Sequence, residues 1–182
     1  RLWYKTPRQL GESCWVVFYD ETDSLELTLD GMIASYCKPL YDHSKQFVGV
    51  ISTDLSLIHL SKIISKEKPY PDSYFIMTGE EGRYYIHPDT TQLFTHTIFS
   101  DANPQEQADI FALGHEMTTG KQGNMRVKIN GKPCLVNYRP VPGTNWSLAL
   151  VCPERSVLQS YYRLGYIIGP LTLVGLMLIL LF

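Results

Sequence analysis

The chain has 182 residues, 45% of them hydrophobic and 19% charged, with a formal net charge of −2. That balance offers no basic face for nucleic acid. The absence of any like-charge block or low-complexity tract argues against a disordered tail.

In chain order, residues 14–20 (CysTrpValValPheTyrAsp) are β-branched and aromatic and predict a strand. Residues 32–41 and 46–55 repeat that character on either side of the polar turn 42–45, so three consecutive antiparallel strands are expected. Apolar residues at 55, 57, 58, 60, 63 and 64 then predict an amphipathic helix over 55–66. Two prolines and several charges make 66–72 a linker.

A second unit begins at Ser73. Strands are expected at 74–78 and 83–87 around a turn at 79–82. Asn103-Pro104 offers an N-cap with proline in the first turn, opening a helix to about Met117. A turn at 120–123 leads to a strand over 124–129. Asn130-Gly131 marks a tight hairpin, 133–140 returns, and 146–152 forms a last strand before Pro153. From Glu154 the pattern is helical.

No charged residue occurs from Leu164 to Phe182. At about 1.5 Å per residue this run spans about 28 Å, close to the roughly 30 Å hydrocarbon thickness of a bilayer. Tyr161, Tyr162 and Tyr166 fall where an interfacial aromatic belt would lie, with Arg163 at the water edge. A transmembrane helix is expected over 164–182, joined to the second unit by a juxtamembrane helix over 154–163.

The four cysteines, Cys14, Cys37, Cys134 and Cys152, contain no CxxC spacing, so a zinc site is not expected. If 21–30 closes a hairpin, Cys14 faces Cys37. If 142–145 closes another, Cys134 falls opposite Cys152. Disulfides and four buried thiols both remain open readings. Among the histidines, His115-Glu116 lacks the second histidine of HExxH, and His87-Pro88-Asp89 reads as a strand end and turn. No nucleophile elbow or phosphate-cradling glycine loop is present, so neither a metal, a cofactor nor a catalytic residue is expected. The spacing of Gly165 and Gly169 suits close helix packing.

The layout resembles a double Cache ectodomain, a tandem of PAS-like folds on bacterial chemoreceptors, sensor kinases and membrane-bound phosphatases. The residues that carry the resemblance are Arg1-Leu2-Trp3-Tyr4-Lys5, Ser35-Tyr36 through Pro39, Gly49-Val50-Ile51 with Asp54-Leu55-Ser56-Leu57, Gly82 with His87-Pro88-Asp89, and Trp146-Ser147-Leu148 leading to Pro153-Glu154. The resemblance implies an α+β chain of two PAS-like antiparallel-sheet subdomains, 1–66 distal and 67–153 proximal, followed by the transmembrane helix. Three strands and one helix bury little apolar surface, so the distal subdomain is expected to be N-terminally truncated.

In amine- and amino-acid-binding members of that family, the distal pocket uses an Arg-x-Trp-Tyr segment, a Tyr-x-Asp segment and a later Asp. Arg1, Trp3 and Tyr4 match the first and Asp54 the last. The middle segment keeps Asp20 but has Phe18 where Tyr is usual. The chemistry is coherent. An Arg guanidinium grips a carboxylate bidentately, Asp20 and Asp54 pair with an ammonium, and Trp3 and Tyr4 add cation–π attraction. Competing readings are an N-cap role for Asp54, a turn role for Asp20, core packing for Trp3 and Tyr4, and simple exposure for Arg1.

The resemblance therefore implies a non-enzymatic sensor of an amino acid, amine or organic acid. It would be a homodimer anchored in the bacterial inner membrane, with residues 1–163 extracytoplasmic and a kinase, phosphatase, cyclase or chemotaxis output beyond residue 182. A docking or adhesion domain without a small-molecule ligand, and a membrane-tethered hydrolase, are the rival classes.

Overall fold

The computed structural model describes residues 1–19, 32–100 and 107–181. Two sheets form and share no strand: a three-stranded sheet in the order β1-β2-β3 and a five-stranded sheet in the order β5-β4-β8-β7-β6.

In the first sheet, β1 (Cys14–Tyr19), β2 (Met32–Tyr41) and β3 (Phe47–Ser56) run antiparallel as a meander. Helix α1 (Leu2–Leu10), with Pro7 buried, lies against all three strands. Periodicity gave no sign of α1, because its contact face consists of Trp3, Tyr4 and Pro7 among charged residues. β3 extends to Ser56 because its ladder with β2 continues to the Ile33–Ser56 pair. Helix α2 (Leu57–Ile64) thus starts two residues later than the pattern suggests. Its N-cap is Ser56, whose side chain accepts from the His59 amide at 3.3 Å. The N-cap role for Asp54 is therefore corrected: Asp54 lies inside the strand.

In the second sheet, β4 (Tyr74–Thr78) pairs with β5 (Tyr84–Ile86) and with β8 (Ser147–Pro153), while β7 (Lys132–Pro140) joins β8 to β6 (Gly123–Ile129). Along β7, Cys134, Val136 and Tyr138 are buried and the residues between them exposed, the period-two pattern of a half-covered sheet. The β6–β7 turn places Asn130 at φ 49° and Gly131 at φ 76°, the left-handed pair that a two-residue hairpin requires.

Helix α3 (Ala108–Thr118) covers the sheet with Leu113 and Met117, which pack with Ile76, Val127, Val136 and Val151. Each fully buried aliphatic side chain of this kind contributes about 1.5–3 kcal/mol. Gln107 takes the N-cap position of α3, and the expected Asn103-Pro104 start lies outside the described residues.

Opposed cysteines follow the hairpin registers. Cys14 pairs directly with Cys37, but Cys134 pairs with Pro153 and Cys152 with Leu135. This one-residue offset corrects the expected Cys134–Cys152 opposition and puts those two side chains on opposite faces of the sheet. All four cysteines are free thiols.

The two sheets share a core. Ala34, Leu57 and Ile58 of the first unit pack with Met77, Tyr85, Ile86, Leu93, Phe94 and Trp146 of the second. Helix α4 (Glu154–Leu181) follows β8 without a break and runs for 28 residues, about 42 Å. Its first turn is tied down at two points. Glu154 pairs with Arg126 of β6 at 2.6 Å, and Ser156 donates to Asp72 at 3.4 Å. Among the described residues no helix is long and apolar enough to cross a membrane, so the span expected over 164–182 stays a reading of the sequence.

Candidate ligand-binding site

Direct pairing across the first sheet aligns Val16, Ser35 and Asp54 in one row, and paired residues of antiparallel strands point to the same face. Ser35, fully buried, donates its hydroxyl to Oδ1 of Asp54. Asp54 itself is exposed. A buried hydroxyl thus fixes one carboxylate oxygen and leaves the other available to a cation. The charge is felt beneath it: burial, then Cys14, then Asp54 push the Cys37 thiol up to about 11.

Phe18 lies two residues along from Val16 and so stands on the same face as Asp54, half-buried. Phenylalanine there supplies an apolar wall without a hydrogen-bonding tip. Asp20 falls outside the described residues.

The Arg-x-Trp-Tyr residues sit on α1. Trp3 and Tyr4 meet edge to face at 5.8 Å, and Tyr4 meets Phe47 in the same manner at 5.8 Å. Phe47 also lies under the guanidinium of Arg8 at 5.2 Å and meets Tyr41 edge to face at 6.1 Å. Arg1 is exposed at the N-cap. Phe47 precedes Asp54 by seven positions on β3, roughly 23 Å at about 3.3 Å per residue. The structure therefore gathers Phe18 with Asp54 at one end of the sheet face, and Tyr4 with Trp3 at the other.

A feature the sequence did not single out lies between the units. Trp15 meets Trp146 with tilted rings at 5.1 Å and Trp146 meets Tyr85 edge-on at 5.7 Å, lining a cleft of about 520 Å³ with Glu12 and Glu80 at its rim. Burial, with Glu80 second, raises the Tyr85 phenol pKa. Asn145 donates to Glu80 at 3.2 Å across this cleft. Trp146 belongs to a segment that carries the family resemblance, but nothing local marks its contacts with Trp15 and Tyr85, which only the docking of the two sheets creates. Among the described residues no group of three or more His, Cys, Asp or Glu is placed to hold a metal ion.

No family model matches the chain. A methyl-accepting chemotaxis protein, PscA of Pseudomonas syringae pv. tomato, is 29% identical over 114 residues, which is 61% of this chain and 16% of that protein. The extracellular domain of a proposed histidine kinase, mmHK1S-Z3, superposes with a TM-score of 0.71 at 18% identity, covering 90% of this chain and 57% of that one. The ligand-binding domain of the Pseudomonas aeruginosa amino acid chemoreceptor PctB, in complex with L-Arg, gives 0.56 at 18% identity over 86% of this chain and 61% of that one. That of PctC from the same organism, in complex with GABA, gives 0.56 at 22% identity over 84% and 61%. The chain thus spans about a sixth of the curated relative and under two thirds of these structures. The likenesses establish its fold, two antiparallel sheets with helices in the arrangement of Cache-type extracellular sensory domains.

Proposed function

We propose that this chain, folded as a Cache-type sensory domain, is the ligand-sensing portion of a membrane-anchored bacterial receptor. The first unit binds a small amino acid, amine or organic acid. Asp54, oriented by Ser35, takes the ammonium. Phe18 walls the site and Asp20 adds a second carboxylate, while Trp3 and Tyr4, with Arg1 beside them, stand at the other end of the sheet face and form no part of it. A ligand shifts the receptor only by binding its two states unequally. The continuity of β8 with α4 gives that shift a rigid path. Residues 164–182 cross the inner membrane and place residues 1–163 outside the cytoplasm. A second copy supplies the helix against which α4 moves.

The observation that carries this reading is the Ser35–Asp54 pair, an accessible carboxylate held by a buried hydroxyl within a sensory-domain fold. The test is a thermal-shift screen of the chain in detergent against amino acids, amines and organic acids, since a ligand specific for the folded state raises Tm by mass action. Asp54→Ala should abolish the shift while circular dichroism stays unchanged. Retention of the shift in that variant defeats the assignment of this residue. Silence across the whole panel favours a docking domain without a small-molecule ligand.

A further inference from the structure

A cavity of about 550 Å³ opens in the second unit between β4, β5, the start of α3 and the β6–β7 turn. That volume is within the range of small-molecule sites, about 300–1,000 Å³. Its apolar lining is Ile98, Ile110 and Ile129.

Two polar atoms in the wall are unused. The Asp89 amide and the Asp89 carbonyl lie 3.1 Å and 3.0 Å from Nδ1 of His87. Nδ1 is therefore engaged by the Asp89 backbone in either tautomer, and Nε2 is left as donor or acceptor. Among the described residues Nε2 has no hydrogen-bond partner. The Tyr74 hydroxyl likewise has none, and burial pushes its pKa up to about 12, which keeps it a donor at neutral pH.

Charge selects further. Among the described residues Asp89 is the one carboxylate in the lining, and no Lys or Arg joins it. Its oxygens already accept from the Thr91 amide at 3.0 Å, the Thr91 hydroxyl at 2.7 Å and the Gln92 amide at 3.5 Å. An anion entering the cavity would sit beside Asp89 with no cation to offset it. A cation would meet a carboxylate whose oxygens are already engaged.

We propose that this cavity is a second ligand site, for a small uncharged molecule whose polar group bonds the Tyr74 hydroxyl and Nε2 of His87 while its apolar body rests on Ile98, Ile110 and Ile129. The site is placed to act on α4. Tyr74, Ile129 and Asn130 also line an adjoining groove of about 670 Å³ that reaches Arg155 and Ser156 in the first turn of that helix. An occupant would therefore press on a wall that continues to the helix base. This inference stands apart from whatever binds the first unit.

The test uses the intact chain in lipid nanodiscs, with calorimetric titration of three matched probes: nicotinamide, nicotinate and 3-(aminomethyl)pyridine. Nicotinamide should bind, with the anionic and cationic probes at least about tenfold weaker. Tyr74→Phe and His87→Phe should each weaken nicotinamide by about 2–10-fold, the effect of one lost hydrogen bond. If one variant misfolds by circular dichroism, the other decides. Failure of nicotinamide to bind, equal binding of all three probes, or indifference to the substitutions overturns the proposal. Amino-acid binding is measured in the same preparation, and its absence alongside nicotinamide binding would sink only the reading of the first unit.

Discussion

Ser61 of α2 donates its hydroxyl to the backbone carbonyl of His87 across 3.5 Å, joining the helix that follows Asp54 to the loop that ends β5 in the other sheet. Ser61 is fully buried, so this bond is also a packing contact between the units. Ser61→Ala should cost about 1 kcal/mol, the net worth of a typical hydrogen bond. Ser61→Leu should cost about 1–3 kcal/mol through overpacking. Urea unfolding of the detergent-solubilised chain measures both. A neutral leucine variant would mean that α2 is not clamped against β5.

Trp146 lies between Trp15 of the first sheet and Tyr85 of the second and is 7% exposed. Its removal leaves a cavity in the core that both sheets use. Trp146→Ala should therefore cost about 3–5 kcal/mol. The loss should appear as one earlier cooperative transition, because neither sheet keeps a complete core alone. Two separated transitions in the unsubstituted chain would show that the units fold independently.

What the sequence disclosed follows from how local each signal is. Strand β7 and the Asn130-Gly131 turn are legible because alternation and turn chemistry are written within a few residues. The Ser56 cap was displaced by tertiary pairing: β2 holds β3 extended through Ile33 and Ser56, which overrides the helical spacing that begins at Leu55. Asp54 was legible as a polar position in a strand motif. Its partner Ser35 was not, since only the β2–β3 register brings the two together. The Trp15–Trp146 contact spans the two sheets and leaves no periodic trace. For the same reason the spare polar atoms of Tyr74 and His87, thirteen positions apart, have no sequence signal.

Cys14 and Cys37 face each other directly across β1 and β2 as free thiols. Directly opposed residues have Cα atoms about 4.5–5.5 Å apart, inside the range that a disulfide spans. Cys134 and Cys152 point to opposite faces and cannot be bridged without moving the backbone. Under glutathione disulfide, Cys14 and Cys37 should be joined while Cys134 and Cys152 remain alkylatable after unfolding. Peptide mapping reads this out, and a recovered Cys134–Cys152 peptide would show the β7–β8 register to be wrong. Reaction will be slow, because burial followed by Glu12 raises the Cys14 pKa and so disfavours the attacking thiolate.

His87 gives the fold a pH dependence of definite sign. Burial, the largest influence, lowers its pKa below the ordinary 6.5, while the Asp89 backbone bond and the Asp89 charge oppose this and His96 reinforces it. The unfolded chain therefore binds a proton at a higher pH than the folded chain does. By linkage, stability rises with pH wherever the unfolded state holds more protons. His87 is thus without effect above its unfolded pKa, and destabilises as pH falls from there through the lower folded value. His87→Phe should flatten that part of the stability profile relative to the parent chain, leaving the slopes from other histidines in both. Urea midpoints taken at intervals between pH 8 and pH 5 test it. A parent chain that gains stability on acidification through a slope removed by His87→Phe would mean that the imidazole is stabilised as a cation.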